Sequence, residues 1–223
     1  MRCPRLRFRQ ASVEGKTAPY ELYLTAFTRL MQAHELGPAD IDRVVVRANP
    51  FALTPIFCEQ QPRDALTAEF SHPHALAVAA HHVPAGPEWY APEVLFADEI
   101  RSFRAKVFVV PEPRSANIVE WMGGGQWRGV PGGVDIEARG THYTATADYA
   151  LGDPWSEETL MSDERLIEKF KVMVSGRRSG AGASEVDGDA VAHMIALLLD
   201  VDSCDSVRSA MDGLGRVAGS PGD

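Results

Sequence analysis

The spacing of hydrophobic residues predicts a helix over residues 20–35 and a strand soon after it. In the first segment apolar side chains recur at near-helical intervals, at Leu22, Leu24, Ala26, Phe27, Leu30, Met31 and Ala33. Gly37 and Pro38 follow, and this pair is typical of a helix end. Residues 41–48 are rich in β-branched side chains, which favours a strand.

In the middle of the chain, segments with helical spacing of apolar residues alternate with short segments typical of strands. Helices are predicted at 73–83 and 91–103, and strands at 106–110, more weakly at 118–122, and at 134–138 and 143–149. The glycine-rich segment 123–133 predicts a loop, and the last two strands are expected to pair across residues 139–141. The pattern therefore favours a mixed α+β fold.

The C-terminal part of the chain reads as helical throughout. Ser156 is a good N-cap for a first helix, and further helices are predicted at 162–175, 189–200 and 203–217, with a loop at 176–187. One of these helices is apolar on nearly every side, at Val191, Met194, Ile195, Leu197, Leu198 and Leu199. A helix of this kind favours burial, which indicates a partner surface outside the chain.

Composition and charge exclude some partners. The 223 residues are 45% hydrophobic, which is enough for a sizeable core. The net charge of −9 argues against a general binder of nucleic acids or of anionic membranes. It leaves an anionic substrate open, because a binding site needs only local positive charge.

The cysteines and the N-terminus bear on the compartment. Cys3, Cys58 and Cys204 are odd in number, far apart and outside any CxxC pattern. This favours a reduced, cytoplasmic protein. No apolar run follows the basic N-terminal residues as a secretory signal requires, and no segment is apolar enough to span a bilayer.

The segment 68–80 carries the most distinctive chemistry. A polar turn containing Ser71, His72 and His74 leads directly into a helix of small apolar residues, and Pro73 suits its first turn. Side-chain nitrogens and a hydroxyl then lie near unpaired backbone N–H groups, a natural place for an anion. The simpler interpretation is an ordinary helix N-terminus.

Several segments, taken in order, resemble the MmgE/PrpD family, which includes 2-methylcitrate dehydratase and cis-aconitate decarboxylase. Residues 68–80 resemble the family's Phe-Ser-x-x-Tyr-Ala-x-Ala element, with His74 at the tyrosine position. The other matching segments are Lys16–Glu21, Ile41–Val46, Gly152–Pro154 and Leu166–Phe170. Together they cover roughly residues 8–215.

The resemblance implies a division into three parts. Residues 36–152 would form the family's small α/β lid domain. Residues 1–35, an arm and a helix at the seam, and the C-terminal helices at 153–223 would pack on a helical domain that this sequence lacks. A separate MmgE/PrpD-like subunit would supply that domain. Because family members commonly dimerise, the implied assembly is a dimer of heterodimers.

The resemblance also implies a reaction and its residues. Family members act on small carboxylic acids without metal or other cofactor, by dehydration, decarboxylation or proton transfer next to a carboxylate. We expect Lys16, Glu21 and His74 to be catalytic and Tyr20, Ser71 and His72 to bind substrate. Lys16, Glu21, His72 and His74 are expected to converge on a cleft that faces the partner. The family usually has histidine where this chain has Glu21, which makes an isomerase, an epimerase or a dehydratase acting on a less charged substrate more plausible.

Other interpretations of the same residues stay open. Glutamate can act as a general base but cannot clamp an anion, so an inactive regulatory or binding module with the lid fold is the second hypothesis. Taken alone, Lys16 and Glu21 are more simply a solvated surface pair. His74, His81 and His82 could share one helix face as metal ligands, but no acidic or cysteine ligand has suitable spacing. We therefore expect no metal site.

Overall fold

The computed structural model describes residues 21–121, 129–153, 156–176, 188–200, 206, 208 and 212–213. Within these ranges it combines helices with one four-stranded sheet, which confirms the predicted α+β class. Met161 ends a first compact unit and Ser162 begins a second. The expected boundary between lid and C-terminal helices, near residue 152, lies slightly before this division.

The sheet has the strand order β2-β1-β3-β4. Its strands are β1 (Ile41–Ala48), β2 (Val107–Pro111), β3 (Gly132–Ala138) and β4 (Thr141–Ala147). Strands β1 and β2 are parallel, whereas β3 runs antiparallel to both β1 and β4. Arg139 and Gly140 form the turn between β3 and β4 with φ values of 52° and 70°. Positive φ at both positions is typical of a type I′ hairpin, so the predicted pairing is confirmed.

Most of the predicted helices are present with similar bounds. The helices of the described residues are α1 (Glu21–Ala33), α2 (Ala65–Phe70), α3 (His72–Ala80), α4 (Pro92–Leu95), α5 (Asp98–Arg104), α6 (Ile118–Trp121), α7 (Asp163–Gly176) and α8 (Gly188–Leu199). Of these, α2 and α6 were not predicted as helices. The helix predicted at 91–103 is divided into α4 and α5, because the backbone at Ala97 is extended. The helix predicted at 203–217 falls almost wholly outside the described residues.

Helix α1 packs on the sheet within the first unit. It contacts β3, β4 and α3, and its wide apolar face lies in the same core as the buried side chains of β1. Phe27 is fully buried there and packs edge-on against Phe103 of α5. The helix that we expected at the seam of the helical domain is thus also part of the core of the α/β unit. Docking of residues 1–35 on a partner stays a prediction.

Two local predictions were wrong. Ile118 and Val119 favoured a strand, but the chain turns into the short helix α6, where Asn117 donates a hydrogen bond to Glu120 and Val119 is 71% exposed. β-branched residues form a strand only where a neighbour can pair with them. Ser156 was expected to begin a helix, but Thr159 bonds back to its carbonyl in a turn. Ser162 caps α7 instead by accepting from the Arg165 N–H.

Gly132 was predicted to lie in a loop but begins β3 beneath α1. A Cβ atom at this position would lie 2.5 Å from Cε1 of Tyr23 and 2.6 Å from Cδ2 of Leu22. Real Cβ atoms do not approach other atoms so closely, and both side chains are buried. The missing side chain therefore lets the first turn of α1 lie directly on the sheet.

Gly132→Ala is accordingly expected to destabilise the protein by about 1–3 kcal/mol, the usual range for overpacking a core. Urea unfolding measures the effect. Gly188→Ala is the matched control, since a Cβ there meets nothing within 4 Å. Equal unfolding midpoints for the two variants would contradict the proposed close contact.

The second unit contains α7 and α8. Val191 and Met194 of α8 are buried, with Phe170 and Val174 of α7 packed against them. At the end of α8, by contrast, Leu199 is 53% exposed and Leu198 is 39% exposed. The helix therefore keeps part of its apolar surface uncovered by the residues that the structure describes.

Candidate functional site

The start of helix α3 is fixed by its own side chains. Ser71 is the N-cap, and its hydroxyl oxygen accepts a hydrogen bond of 3.0 Å from the His74 N–H. The same hydroxyl donates to the carbonyl of Glu59 at 2.5 Å. Pro73 lies in the first turn, as predicted, where no backbone donor is needed. Ser71 thus has a capping role, and its contact with substrate stays a prediction.

His72 lies in an aromatic environment on one side of α3. Its ring stacks on Phe57 at 5.5 Å between centroids and meets the edge of Tyr23 at 5.2 Å. The side chain is fully buried, and this burial lowers the pKa of His72 to about 3. His72 is therefore neutral at physiological pH and cannot attract a carboxylate as a cation.

His74 is held by two hydrogen bonds on the other side of the helix. Nε2 lies 2.8 Å from the carbonyl oxygen of Trp89, and Nδ1 lies 3.3 Å from Nη1 of Arg104. A guanidinium can only donate, so Nδ1 accepts from Arg104 and the ring proton is on Nε2, which donates to Trp89. Burial is the main cause that lowers the pKa of His74 to about 4, and the positive charge of Arg104 lowers it further.

The two histidines therefore have different surroundings. Side chains two positions apart on a helix point in nearly opposite directions. His72 contacts Tyr23 of α1 and Phe57, which follows β1. His74 instead contacts Trp89, which precedes α4, and Arg104 of α5. The structure does not bring the two rings together on one side of α3. The anion site expected from this helix start would thus have only one of the two rings beside it.

The first turn of α1 carries the predicted carboxylate. Glu21 begins the helix and is only 5% exposed. Tyr23, also in the first turn, accepts hydrogen bonds of 3.4 Å at its hydroxyl from the backbone N–H and the side-chain amide of Asn49. Burial raises the pKa of Tyr23 to about 12. Lys16 and Tyr20, the other two residues predicted in this region, lie outside the described residues.

A charged cluster lies at the carboxyl ends of β1 and β2 and on the adjacent strand β3. Glu112 is buried and accepts hydrogen bonds of 3.2 Å from both Nε and Nη2 of Arg114. Arg47 lies 3.8 Å from the same carboxylate and 3.4 Å from Asp135. Burial raises the pKa of Glu112, but its bonds to Arg114 and the charge of Arg47 outweigh this and hold the pKa below its usual value. Glu112 thus stays ionised next to Tyr23.

Three of these residues were missed in the sequence. Asn49 and Glu112 each follow directly on a strand, and polar residues at the carboxyl ends of parallel strands are a recurrent signal of a site. This signal is visible in the sequence at both positions. Tyr23 could not be distinguished from the apolar residues around it on α1, because only the fold shows its hydroxyl beside Asn49.

Two further findings concern metals and membranes. Among the described residues, no three His, Cys, Asp or Glu side chains lie close enough together to hold a metal ion. Nδ1 of His81 donates a 2.8 Å hydrogen bond to the carbonyl of Ala77 in its own helix, and His82 is exposed. In the same part of the chain, every helix is too short or too polar to cross a bilayer.

Comparison with known proteins identifies the family. No curated protein matches the sequence. The family model of the MmgE/PrpD C-terminal domain, however, matches residues 23–189, which include α1 from Tyr23 onward, the whole sheet, the Ser71 helix start and α7. This match covers well over half of the chain and confirms the family resemblance seen in the motifs between Ile41 and Phe170. The Lys16–Glu21 motif lies before the matched residues, so its resemblance stays a prediction. The chain therefore belongs to the MmgE/PrpD family and carries its C-terminal domain.

Proposed function

We propose that this chain is one part of a lyase or isomerase that acts on a small carboxylic acid by proton abstraction without a cofactor. The observation that carries the proposal is the match to the MmgE/PrpD C-terminal domain over residues 23–189. The site would be completed by an MmgE/PrpD-like helical domain on a separate chain, in a dimer of heterodimers.

In this proposal Glu21 takes or returns the substrate proton. It is a carboxylate largely shielded from solvent at the start of a helix, and such carboxylates serve as general bases. Lys16 holds a carboxylate of the substrate, since a fixed ammonium stabilises the negative charge that develops beside it. Unlike the family's usual histidine, Glu21 cannot hold an anionic group as a cation, which favours isomerisation, epimerisation or dehydration of a less charged substrate.

The proposal gives the α3 residues a supporting task. Ser71 and His74 are buried and hydrogen-bonded to the protein, and His72 is enclosed by aromatic rings. They hold the start of α3 in place beside Tyr23 of α1. Direct contact of these three and of Tyr20 with substrate, and a catalytic role of His74, stay predictions.

The proposed partner would cover the end of α8. Leu198 and Leu199 are exposed there, although apolar side chains of this size favour burial. A helical domain with an apolar stripe is the kind of partner that such a surface accepts. If so, Leu198→Asp with Leu199→Asp weakens the complex, whereas Leu66→Asp, at a 65% exposed leucine of α2, does not.

Reconstitution tests the function. The chain is produced together with an MmgE/PrpD-like helical protein from the same genome, and deuterium exchange into a panel of small carboxylic acids is followed by NMR in D₂O. We expect the two proteins to co-purify and to catalyse exchange or product formation with at least one acid. A complex that forms but exchanges no proton would favour the regulatory module, and full activity of this chain alone would contradict a shared site.

A further inference from the structure

Arg104 is a buried cation whose bonding is incomplete. It lies in the last turn of α5, and its side chain is only 2% exposed. Nη1 donates to His74, but Nε has no hydrogen-bond partner in the part of the chain that the structure describes. An unsatisfied charged donor that is shielded from water is costly, so the surrounding protein leaves the buried guanidinium incompletely balanced.

The charge of Arg104 is also uncompensated at close range. Among the described residues, no carboxylate lies within 4.0 Å of its guanidinium. Its neighbour Arg101 pairs with Asp98 at 3.7 Å and adds a second positive charge nearby. Burial and then Arg101 lower the pKa of Arg104, while the more distant Glu59 raises it. Buried charges are normally paired, and an anion is the missing counterpart.

Arg104 lines a polar pocket of about 320 Å³. The other lining residues are Gln60, Gln61, Asp98, Arg101 and Ser102. Gln60 is fixed by donating a 2.7 Å hydrogen bond to the carbonyl of Val107 on β2, so one wall is attached to the sheet. A pocket of this volume lies at the small end of ligand sites, and its amide, hydroxyl and guanidinium groups suit a polar ligand. The lining also contains the carboxylate of Asp98, which is paired with Arg101.

We propose that this pocket binds a small oxyanion, with a carboxylate or phosphate group seated on Arg104. A guanidinium offers N–H groups in a planar fork that matches the oxygens of either group. The inference is independent of the proposed reaction, because it rests on residues other than Lys16 and Glu21. Since Arg104 donates to His74, an anion bound to Arg104 would be linked through one side chain to the start of α3.

Calorimetric titration of the full chain tests this proposal. Sodium malonate and sodium phosphate are titrated in separate arms at an ionic strength held constant with NaCl, which shows whether carboxylate, phosphate or both are accepted. We expect saturable one-site binding in at least one arm and at least tenfold weaker binding by Arg104→Gln. Arg43→Gln, at an exposed arginine that pairs with Glu137 on the sheet, is the matched control and should bind like the wild type.

A second measurement on the wild-type protein tests the site even if Arg104→Gln does not fold. In the wild-type protein, the Nε–H resonance of Arg104 is followed by ¹H–¹⁵N NMR during the same titrations. A saturable shift of this resonance supports the site even without the variant. Absence of binding in both arms, an unmoved Arg104 resonance, or unchanged affinity in a folded Arg104→Gln protein would each overturn the proposal.

Discussion

Lowering the pH from 7 to 4 is expected to remove about 6 kcal/mol of unfolding free energy through two buried histidines. In the native state the pKa of His72 is about 3 and that of His74 about 4, both lowered by burial from an ordinary 6.5. The unfolded chain therefore binds protons below pH 6.5 that the native state does not bind. The stability is fully present above that pH and is lost as the pH falls, about 3 kcal/mol per histidine by pH 4.

A loss of this size is comparable with the whole stability of many domains, so we expect the first unit to unfold in mild acid. Urea unfolding followed by tryptophan fluorescence at pH 7, 6, 5 and 4 measures it, because all four tryptophans precede Ser162. His72→Phe keeps an aromatic ring on Phe57 and Tyr23 but cannot titrate, and should reduce the pH dependence by about half. His142→Gln, at an exposed histidine of β4, should leave it unchanged. If the unfolding free energy of His72→Phe depended on pH as strongly as that of the wild type, another group would be responsible for the pH dependence.

Glu21→Gln is expected to lower turnover of the reconstituted complex by about 10²–10⁴-fold, the usual contribution of a general base. The substitution keeps the size of the side chain and removes its basicity. Because only proton transfer is affected, kcat should fall much more than KM rises. The pH profile of kcat should also lose its acidic limb, a change that a purely structural role would not produce.

The control for this experiment is Glu93→Gln, at an exposed glutamate of α4 outside the proposed site. It should turn over substrate at the wild-type rate. Lys16→Ala should instead raise KM, since its proposed role is to hold a substrate carboxylate. If Glu21→Gln and Lys16→Ala both retain normal kcat and KM in an intact complex, the residues carry no catalytic function.

Much of the fold follows from local patterns in the sequence. The 3.6-residue spacing in α1 and the β-branched run in β1 are strong signals, and the Arg139–Gly140 turn sets the register of the β3–β4 pair. The predictions failed at positions where contacts with residues distant in sequence determine the local structure. Ile118 has no strand beside it among the residues that the structure describes. Gly132 is glycine because α1 lies on it, which no local pattern reveals.

The candidate site was less predictable, because side-chain direction depends on tertiary packing. The Ser71 cap and Pro73 in the first turn follow from helix-start chemistry. The separation of His72 from His74 follows from helix geometry alone and could have been foreseen. The partner of His74 could not, since Arg104 is distant in sequence and reaches it only because α3 packs on α5.

The order of the strands also bears on how the chain reaches its native state. Strands β3 and β4 close through two residues, and such hairpins form within about 10 microseconds. The parallel pairing of β1 with β2 closes a loop that runs from Asn49 to Lys106. The entropy cost of closing such a long loop slows folding. Helices α3 and α5 lie in this connection, so substitutions that destabilise them should slow refolding. Substitutions in the β3–β4 turn should change the refolding rate far less, because pairing of β1 with β2 is expected to be the later step.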